Sequence, residues 1–174
     1  MPILRQIAQL GQPVLREPVR QITNPLDPAL QLLIDDMLAT VADVNGVGIA
    51  APQVYQSLSL FIVASRPNQR YPNAPAMEPT AMLNPKLINA SSETEKGWEG
   101  CLSIPGIRGP VSRHKRVRVR YLDRKGEIHE EEYEGFLARI FQHEFDHLNG
   151  LVFLDRLTDS RDLVTEKEYQ RLVE

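Results

Sequence analysis

Several features that mark specialised protein classes are scarce in this 174-residue sequence. Cys101 is the one cysteine, so no disulfide can form within the chain, which excludes a small disulfide-stapled secreted scaffold. No apolar run approaches the roughly 20 residues that a membrane helix needs. The first six residues, Met-Pro-Ile-Leu-Arg-Gln, show no basic region followed by an apolar stretch, and they predict no secretory signal. We therefore expect a reducing cytoplasmic location.

A strong excess of charge of either sign is also missing. The formal net charge of −3 gives no reason to expect a nucleic acid or an anionic membrane as the main partner. The apolar fraction of 42% and the charged fraction of 25% are typical of a globular protein. With no repeat and no linker in the sequence, the length favours a single domain over residues 1–174.

Helical spacing is clear in two segments. The first begins at Asp27 as N-cap with Pro28 in the first helical position, and it ends at Asn45-Gly46. Its apolar stripe is formed by Leu30, Leu33, Ile34, Met37, Leu38 and Val41. The second helix covers residues 136–148 and is closed by Asn149-Gly150. A short third helix is expected within residues 165–174.

Strand patterns lie between these helices, at residues 58–63, 81–89 and 116–121. A Pro- and Asn-rich loop is expected at residues 66–79. The two-residue alternation of 116–121, a turn at 123–126 and an acidic return strand at 127–134 predict a hairpin. We expect it to be a solvated face that pairs Arg116 with Glu134, Arg118 with Glu132 and Arg120 with Glu130. The order of elements predicts an α+β fold with mostly antiparallel sheets.

The strongest chemical signal is the HExxH pattern at residues 143–147. His143 and His147 are four residues apart on the predicted helix, so both side chains project from one face and can share a cation. Glu144 lies beside that site and is placed to act as a general base on water at the metal. A surface helix that carries these residues by chance is the alternative interpretation.

A hydrolytic zinc-type site needs a third protein ligand. The metzincin extension would put a histidine at position 153, which Phe153 occupies. The downstream carboxylates lie in the polar tail, where we expect them to be solvated. The remaining histidines lie in the hairpin region, where we expect surface positions. These residues are Glu166, Glu168, His114 and His129. Cys101 is the remaining source, and a thiolate beside two imidazoles is a recognised hydrolytic combination.

Three motifs together resemble the peptide deformylase family. They are Gly-Val-Gly-Ile-Ala-Ala-Pro-Gln at 46–53, Glu-Gly-Cys-Leu-Ser at 99–103 and Gln-His-Glu-Phe-Asp-His at 142–147. The resemblance implies antiparallel sheets packed around a central metal-binding helix. It also implies hydrolysis of the formyl group from the N-terminal formylmethionine of nascent polypeptides, with N-formylmethionyl peptides as ligands and a transient contact with the ribosome. Because the tail is short, we do not expect docking through a long C-terminal helix.

The resemblance also implies a role for each motif residue. Cys101, His143 and His147 would bind one divalent metal, Fe²⁺ in the cell, with Zn²⁺, Ni²⁺ or Co²⁺ able to replace it. Glu144 would take a proton from water and pass it to the departing amine. The side-chain amide of Gln53 and the backbone N–H of Leu102 would donate to the oxyanion.

Substrate contacts are expected on both sides of the metal. Gly46, Gly48 and Gly100 would allow close approach of an extended peptide. Phe136, Arg139 and Ile140 share the metal-binding face of the helix, seven, four and three residues before His143, and with Val47 they would line the slot for the methionine side chain. We expect the Arg139 stem at the rim of that slot and its charge in solvent. The alternative for Phe136 and Ile140 is an ordinary core position.

Two other function classes remain at the level of sequence. A zinc endopeptidase could use the same HExxH pattern to cleave unformylated peptides. A metal-stabilised binding protein is the non-enzymatic alternative, but such a module needs neither the base Glu144 nor the donor Gln53.

Overall fold

A computed structural model describes residues 1–173. Its three α-helices are α1, Pro28–Asp43, α2, Gly135–Leu148, and α3, Glu166–Val173. Asp27 caps α1 as predicted, because its side chain accepts hydrogen bonds from the backbone N–H groups of Ala29 and Leu30. The predicted short C-terminal helix is confirmed as α3, except for Glu174, which lies outside the described residues. No helix within residues 1–173 has both the length and the apolar character needed to cross a membrane.

Eight strands form two antiparallel sheets. In chain order the strands are β1 Gly48–Ala50, β2 Leu60–Val63, β3 Thr80–Ala90, β4 Thr94–Cys101, β5 Ile104–His114, β6 Arg116–Leu122, β7 Ile128–Glu134 and β8 Val164–Thr165. The larger sheet has the order β1-β2-β3-β6-β7, and the smaller one has the order β4-β5-β8. The predicted α+β class with mostly antiparallel sheets is therefore confirmed.

The larger sheet is covered on both faces by helices. Strand β2 shows why, since its four residues are all buried and point alternately to opposite sides. Leu60 and Ile62 pack with the apolar stripe of α1, whereas Phe61 and Val63 pack with α2. Within α2, Phe141 is fully buried and meets the Phe61 ring edge to face at 5.3 Å. This packing fixes α2, the helix that carries the HExxH pattern, against the centre of the sheet.

The smaller sheet places the middle motif beside α2. Strands β4 and β5 form a hairpin whose register shifts between Glu99 and Cys101. Leu102 and Ser103 form its tight turn, so Cys101 is the last residue of a strand and not part of a loop. Sequence analysis assigned no strand here, because glycines and prolines interrupt the segment and charged residues occupy buried positions in it.

The β6–β7 hairpin has the register predicted from charge alternation. Arg116 lies opposite Glu134, Arg118 opposite Glu132 and Arg120 opposite Glu130. The ion pairs differ in detail, since Arg118 and Arg120 both contact Glu130. All three arginines are more than half exposed, at 56%, 58% and 51% of their side-chain surface, so this basic run is a solvated face, as expected.

Candidate active site

Three candidate metal ligands converge between α2 and the end of β4. Cys101, His143 and His147 each offer one donor atom, and these atoms lie within 4.8 Å of one another. Cys101 Sγ is 3.4 Å from His147 Nε2. The two histidines share one face of α2, with ring centroids 5.2 Å apart. The predicted ligand set is thus assembled from two distant segments of the chain.

The donor set fits a divalent cation. Cys101 and His147 are buried, with 3% and 1% exposure, and the exposed fraction of the His143 side chain is 11%. Burial, followed by the charge of His143, places the pKa of His147 well below its ordinary value, which keeps this imidazole in the neutral form that binds metals. His147 Nδ1 is buried and has no hydrogen-bond partner among the described residues, and Nε2 is the atom that faces Cys101.

Glu99 orients the first histidine. Its Oε2 lies 2.9 Å from His143 Nδ1, which leaves His143 Nε2 for the cation. In the metal-free protein burial alone would lower the pKa of His143, but hydrogen bonds with Cys101 and Glu99 raise it well above the ordinary value, so a cation at Nε2 has to displace a proton. Burial opposes ionisation of Glu99 as well, yet the hydrogen bonds from His143 and Arg113 hold its pKa far below the usual range. Glu99 is therefore a carboxylate throughout the physiological range.

Two arginines complete the surroundings of Glu99. Arg113 donates to both of its oxygens, Nε to Oε1 at 2.9 Å and Nη2 to Oε2 at 3.0 Å. Arg139 Nη1 donates to Oε1 at 3.0 Å and also to backbone carbonyls of β4 and β5. The expectation that the Arg139 charge lies in solvent is wrong. This residue is 9% exposed, and its guanidinium donates hydrogen bonds to Glu99 and to backbone carbonyls.

Asp146, within the last motif, extends the same network. Its Oδ2 accepts from Arg113 Nη1 at 2.6 Å, and its Oδ1 accepts from Arg156 Nη2 at 2.7 Å. Arg113 thus joins Asp146 on α2 to Glu99 on β4. This connection ties α2, which carries His143 and His147, to β4, which ends in Cys101.

Glu144 lies beside the ligands and is 4% exposed. Burial raises its pKa to about 7, and its Oε2 has no hydrogen-bond partner among the described residues. A Cβ on Gly48 would overlap the Glu144 carboxylate, coming within 2.8 Å of its Cδ. A side chain at position 48 would therefore displace this carboxylate, because the backbone of β1 lies directly against it.

Gln53 presents its amide nitrogen to the site. Its Oε1 accepts from the Ala50 backbone N–H at 2.8 Å, which fixes the orientation of the amide. Its Nε2 donates to Ser103 Oγ at 3.1 Å and lies 3.5 Å from Cys101 Sγ. Leu102 follows in the hairpin turn directly after Cys101. The two predicted oxyanion donors therefore belong to segments that meet at the thiol.

One cleft with about 510 Å³ of open space is lined by Cys101, His143, Glu144, Gln53 and Leu102, whereas His147 is not among its lining residues. Every substrate-contact residue named from the sequence lines it: Gly46, Val47, Gly48, Gly100, Phe136, Arg139 and Ile140. Four further lining residues, Arg70, Tyr71, Trp98 and Glu99, were given no role in the site from the sequence. Trp98 adjoins the middle motif, which was a usable signal, whereas the Pro-rich loop at 66–79 gave no sign of facing the cleft.

The rejected third ligands lie elsewhere. His114 is exposed, and His129 pairs with Asp123 at 3.0 Å on the hairpin. Glu168 is on the surface, paired with Arg171. The expectation that Glu166 is solvated is wrong, because both of its oxygens accept from the fully buried Arg108. That pairing also accounts for its position away from the metal-binding group.

Residues 4–162 match the sequence model of the family described as Polypeptide deformylase. The chain belongs to this family. It is 58% identical over 172 residues to Peptide deformylase 2 of Nostoc sp., covering 99% of the chain and 96% of that relative. It is 47% identical over 150 residues to Peptide deformylase 2 of Shewanella oneidensis, covering 86% of the chain and 82% of that relative.

Solved deformylase structures share the fold. A Met-Ala-Ser-bound class I type b peptide deformylase from Acinetobacter baumannii superposes with a TM-score of 0.87 at 46% identity, covering 90% of this chain and all of that one. A peptide deformylase from Synechococcus elongatus in complex with actinonin superposes with a TM-score of 0.81 at 35% identity. This match covers 93% of this chain and 82% of that one. The chain is accordingly a metal-dependent hydrolase that removes the N-formyl group from nascent peptides, and the endopeptidase alternative receives no support.

Proposed function

We propose that Cys101, His143 and His147 bind one divalent cation and that Glu144 is the general base of deformylation. The observation that carries this proposal is the convergence of the three donor atoms within 4.8 Å beside a buried carboxylate whose pKa is raised to about 7. A base with a pKa near the working pH is suited both to accept and to return a proton.

The proposed reaction hydrolyses the formyl C–N bond. When bound, the cation polarises the formyl carbonyl as a Lewis acid. Glu144 accepts a proton from the attacking water as the water oxygen bonds to the formyl carbon. Glu144 then delivers that proton to the amine nitrogen as the C–N bond breaks. The products are a free N-terminal amine and formic acid, which ionises to formate and a proton, so all atoms of the water and the substrate are accounted for.

Gln53 and Leu102 are proposed to stabilise the oxyanion. Gln53 Nε2 is held in place by the bond that its Oε1 accepts from Ala50, so it needs no reorganisation during the reaction. The Leu102 N–H supplies the second donor from the hairpin turn. Loss of one such donor typically reduces turnover by about 10²–10³-fold.

The peptide is proposed to bind along the free edge of β1. This strand is the terminal strand of the larger sheet, and Gly46, Val47 and Gly48 line the cleft beside it. An extended peptide can add to such an edge through backbone hydrogen bonds. The methionine side chain would then lie against Phe136 and Ile140. Arg139 contributes part of the wall, but its charge is neutralised by Glu99.

We propose Fe²⁺ as the cellular metal, since imidazole and thiolate donors suit iron but also accept zinc, nickel or cobalt. The expected behaviour is faster inactivation in air of the iron form than of the nickel form, because iron and its thiolate ligand are both oxidisable. Equal lifetimes would contradict the assignment of iron oxidation as the cause. A cytoplasmic location and a transient contact with the ribosome follow from the nascent-peptide substrate.

The proposal is tested by anaerobic purification, metal analysis and a formate-release assay on formyl-Met-Ala-Ser. Cys101→Ser should lose most of the bound metal and the activity together, whereas the control His114→Ala, an exposed histidine, should keep both. Full metal content and full activity in Cys101→Ser would overturn the ligand set. Cleavage of unformylated peptides at internal bonds by the wild-type protein would favour the endopeptidase.

A further inference from the structure

Arg108 is buried behind the outer wall of the cleft. It lies on β5 with no exposed surface and is the largest fully buried side chain among the described residues. Its Nε and Nη2 donate to the two carboxylate oxygens of Glu166 on α3, at 2.8 Å and 3.2 Å. Its Nη1 donates to the Tyr71 hydroxyl at 2.8 Å. One guanidinium therefore joins the C-terminal helix to the loop at 66–79.

Two aromatic rings enclose the same guanidinium. Arg108 Cζ lies 4.9 Å from the centroid of the Tyr71 ring and 4.8 Å from that of Tyr169 on α3. The Tyr169 ring also packs against Trp98, with centroids 5.4 Å apart. Cation–π contacts are strongest where water is excluded, as it is here.

The partners of this cluster face the cleft. Tyr71 and Trp98 both line it, and the Tyr71 ring lies 5.0 Å from that of Phe136 in the proposed methionine slot. Tyr71 belongs to a loop outside the helices and strands, where hydrogen bonds with Asn68 hold its backbone but do not determine where its ring lies. The contacts that place it are those with Phe136 and Arg108.

The C-terminal segment is fixed to this cluster through its backbone. Strand β8 pairs with β5 at Arg108 opposite Val164 and at Ile107 opposite Thr165. Helix α3 starts at the next residue, Glu166, which brings its carboxylate onto Arg108. Gly100 lies on the other side, where a Cβ would come within 3.0 Å of Arg108 Cδ. The segment is thereby joined to the strand that ends in Cys101.

We propose that Arg108 is a positioning residue for substrate binding and that the C-terminal segment 164–173 completes the outer wall of the cleft. Glu166 and Tyr169 hold the guanidinium, and the guanidinium holds Tyr71, while Tyr169 supports Trp98 directly. The ligand concerned is the extended peptide downstream of its formylmethionine, which passes this aromatic wall. The inference rests on the proposed function, because it takes the cleft to be the peptide site.

Trp98 supplies a direct readout, since it is the single tryptophan of the chain. Its fluorescence reports binding of the product peptide Met-Ala-Ser to the metal-loaded protein without turnover. The variants are Glu166→Gln and Tyr169→Leu. The matched control is Glu168→Gln, because Glu168 lies on the same helix but, within residues 1–173, its carboxylate pairs with Arg171 and not with Arg108. The same proteins are assayed for kcat and KM with formyl-Met-Ala-Ser.

Both test variants are expected to raise KM, and the Kd of Met-Ala-Ser in parallel, by about 3- to 10-fold, with kcat changed by less than about twofold. The control should match the wild type. Arg108→Lys should resemble the test variants, since an ammonium group cannot form the planar fork or stack between two rings. If this variant does not fold, Tyr71→Phe replaces it, because it removes only the hydroxyl that accepts from Arg108.

Unchanged KM and Kd in folded Glu166→Gln and Tyr169→Leu would overturn the proposal. A lower melting temperature with unchanged KM would also overturn it, since the cluster would then be only structural. Normal peptide binding by folded Arg108→Lys would also overturn the proposal, since neither the planar fork nor the stacking between two rings would then be needed. A wild-type protein that binds Met-Ala-Ser but releases no formate would refute the proposed function instead, which keeps the two failures distinguishable.

Discussion

The network around Glu99 and the network on the β6–β7 hairpin use the same residue types in opposite environments. In the first, Arg113 and Glu99 are 5% and 4% exposed, and every oxygen of Glu99 accepts hydrogen bonds. In the second, Arg118 and Arg120 share the partly exposed Glu130. Ion pairs in water contribute little to stability, whereas a buried carboxylate without its partner is strongly destabilising. The buried network therefore fixes α2 relative to β4 beside the candidate metal ligands, and the hairpin network contributes mainly to solubility and register.

The largest effect is expected at Arg113. Arg113→Met leaves the buried carboxylates of Glu99 and Asp146 without their shared cation, and the free energy of unfolding should fall by about 3–5 kcal/mol. Urea unfolding of the metal-free protein at neutral pH measures this change. Arg118→Met on the neighbouring strand is the control, since its side chain is 58% exposed. A similar loss of unfolding free energy in Arg113→Met and Arg118→Met would contradict the claim that the buried network contributes more to stability than the hairpin network.

Glu144 is expected to lower the stability of the metal-free protein. Burial raises its pKa from 4.5 to about 7, so the folded state keeps a proton that the unfolded chain releases at lower pH. The contribution of Glu144 to the free energy of unfolding should therefore decline as the pH rises from 4.5 to 7, and it should stay low at higher pH. Relative to the wild type, Glu144→Gln should raise the free energy of unfolding by about 3 kcal/mol at pH 8 and leave it unchanged at pH 4.

Urea titrations of metal-free wild type and Glu144→Gln at both pH values, with reductant to protect Cys101, measure this difference. Equal stabilities at pH 8 would show that the folded protein does not disfavour the charged carboxylate. The surface carboxyl Glu130 serves as the contrast, because its neighbours Arg120 and Arg118 lower its pKa and so favour the charged form.

Glu99→Gln should weaken metal binding. The amide cannot accept from two arginines and from His143 Nδ1 with the same geometry, so the imidazole loses its fixed orientation. Loss of such an orienting partner typically reduces metal affinity by about 10–100-fold. Competition with a chelator of known affinity measures the change. An unaltered affinity in a folded variant would mean that α2 alone orients His143.

The smallest effect is expected from Glu130→Gln on the hairpin. The exposed arginines lose one shared partner, and screening by salt already weakens that interaction. The urea midpoint at physiological ionic strength should stay within the error of the titration, and metal content should be unchanged. A large loss of stability would contradict the view that this face is only solvated.

Sequence patterns predicted the parts of the protein whose signals are local. The stripe from Leu30 to Val41 gave α1, and charge alternation gave the hairpin register with Arg120 opposite Glu130. The metal ligands and Glu144 lie in compact motifs whose spacing reflects one helix face and one strand end. The same holds for Gln53, whose motif forms β1 and the turn after it.

The rest depends on contacts between distant segments, which no local pattern encodes. Arg139 lies on the metal-binding face as predicted, but the acceptors that bury its charge come from β4 and β5, more than 25 residues away. Glu166 looks like a tail residue until β8 pairs with β5 and places it on Arg108. Gly97, Gly100, Pro105 and Pro110 obscured the β4–β5 hairpin, since they carry no strand signal.

The central claim is that Glu144 transfers the proton at a site held by Cys101, His143 and His147. Its most direct test is single-turnover formate release from formyl-Met-Ala-Ser by metal-loaded Glu144→Ala, with the bound metal quantified in the same sample. The account predicts metal content equal to that of the wild type and loss of formate release by at least about 10²-fold. Full activity with metal bound would contradict it.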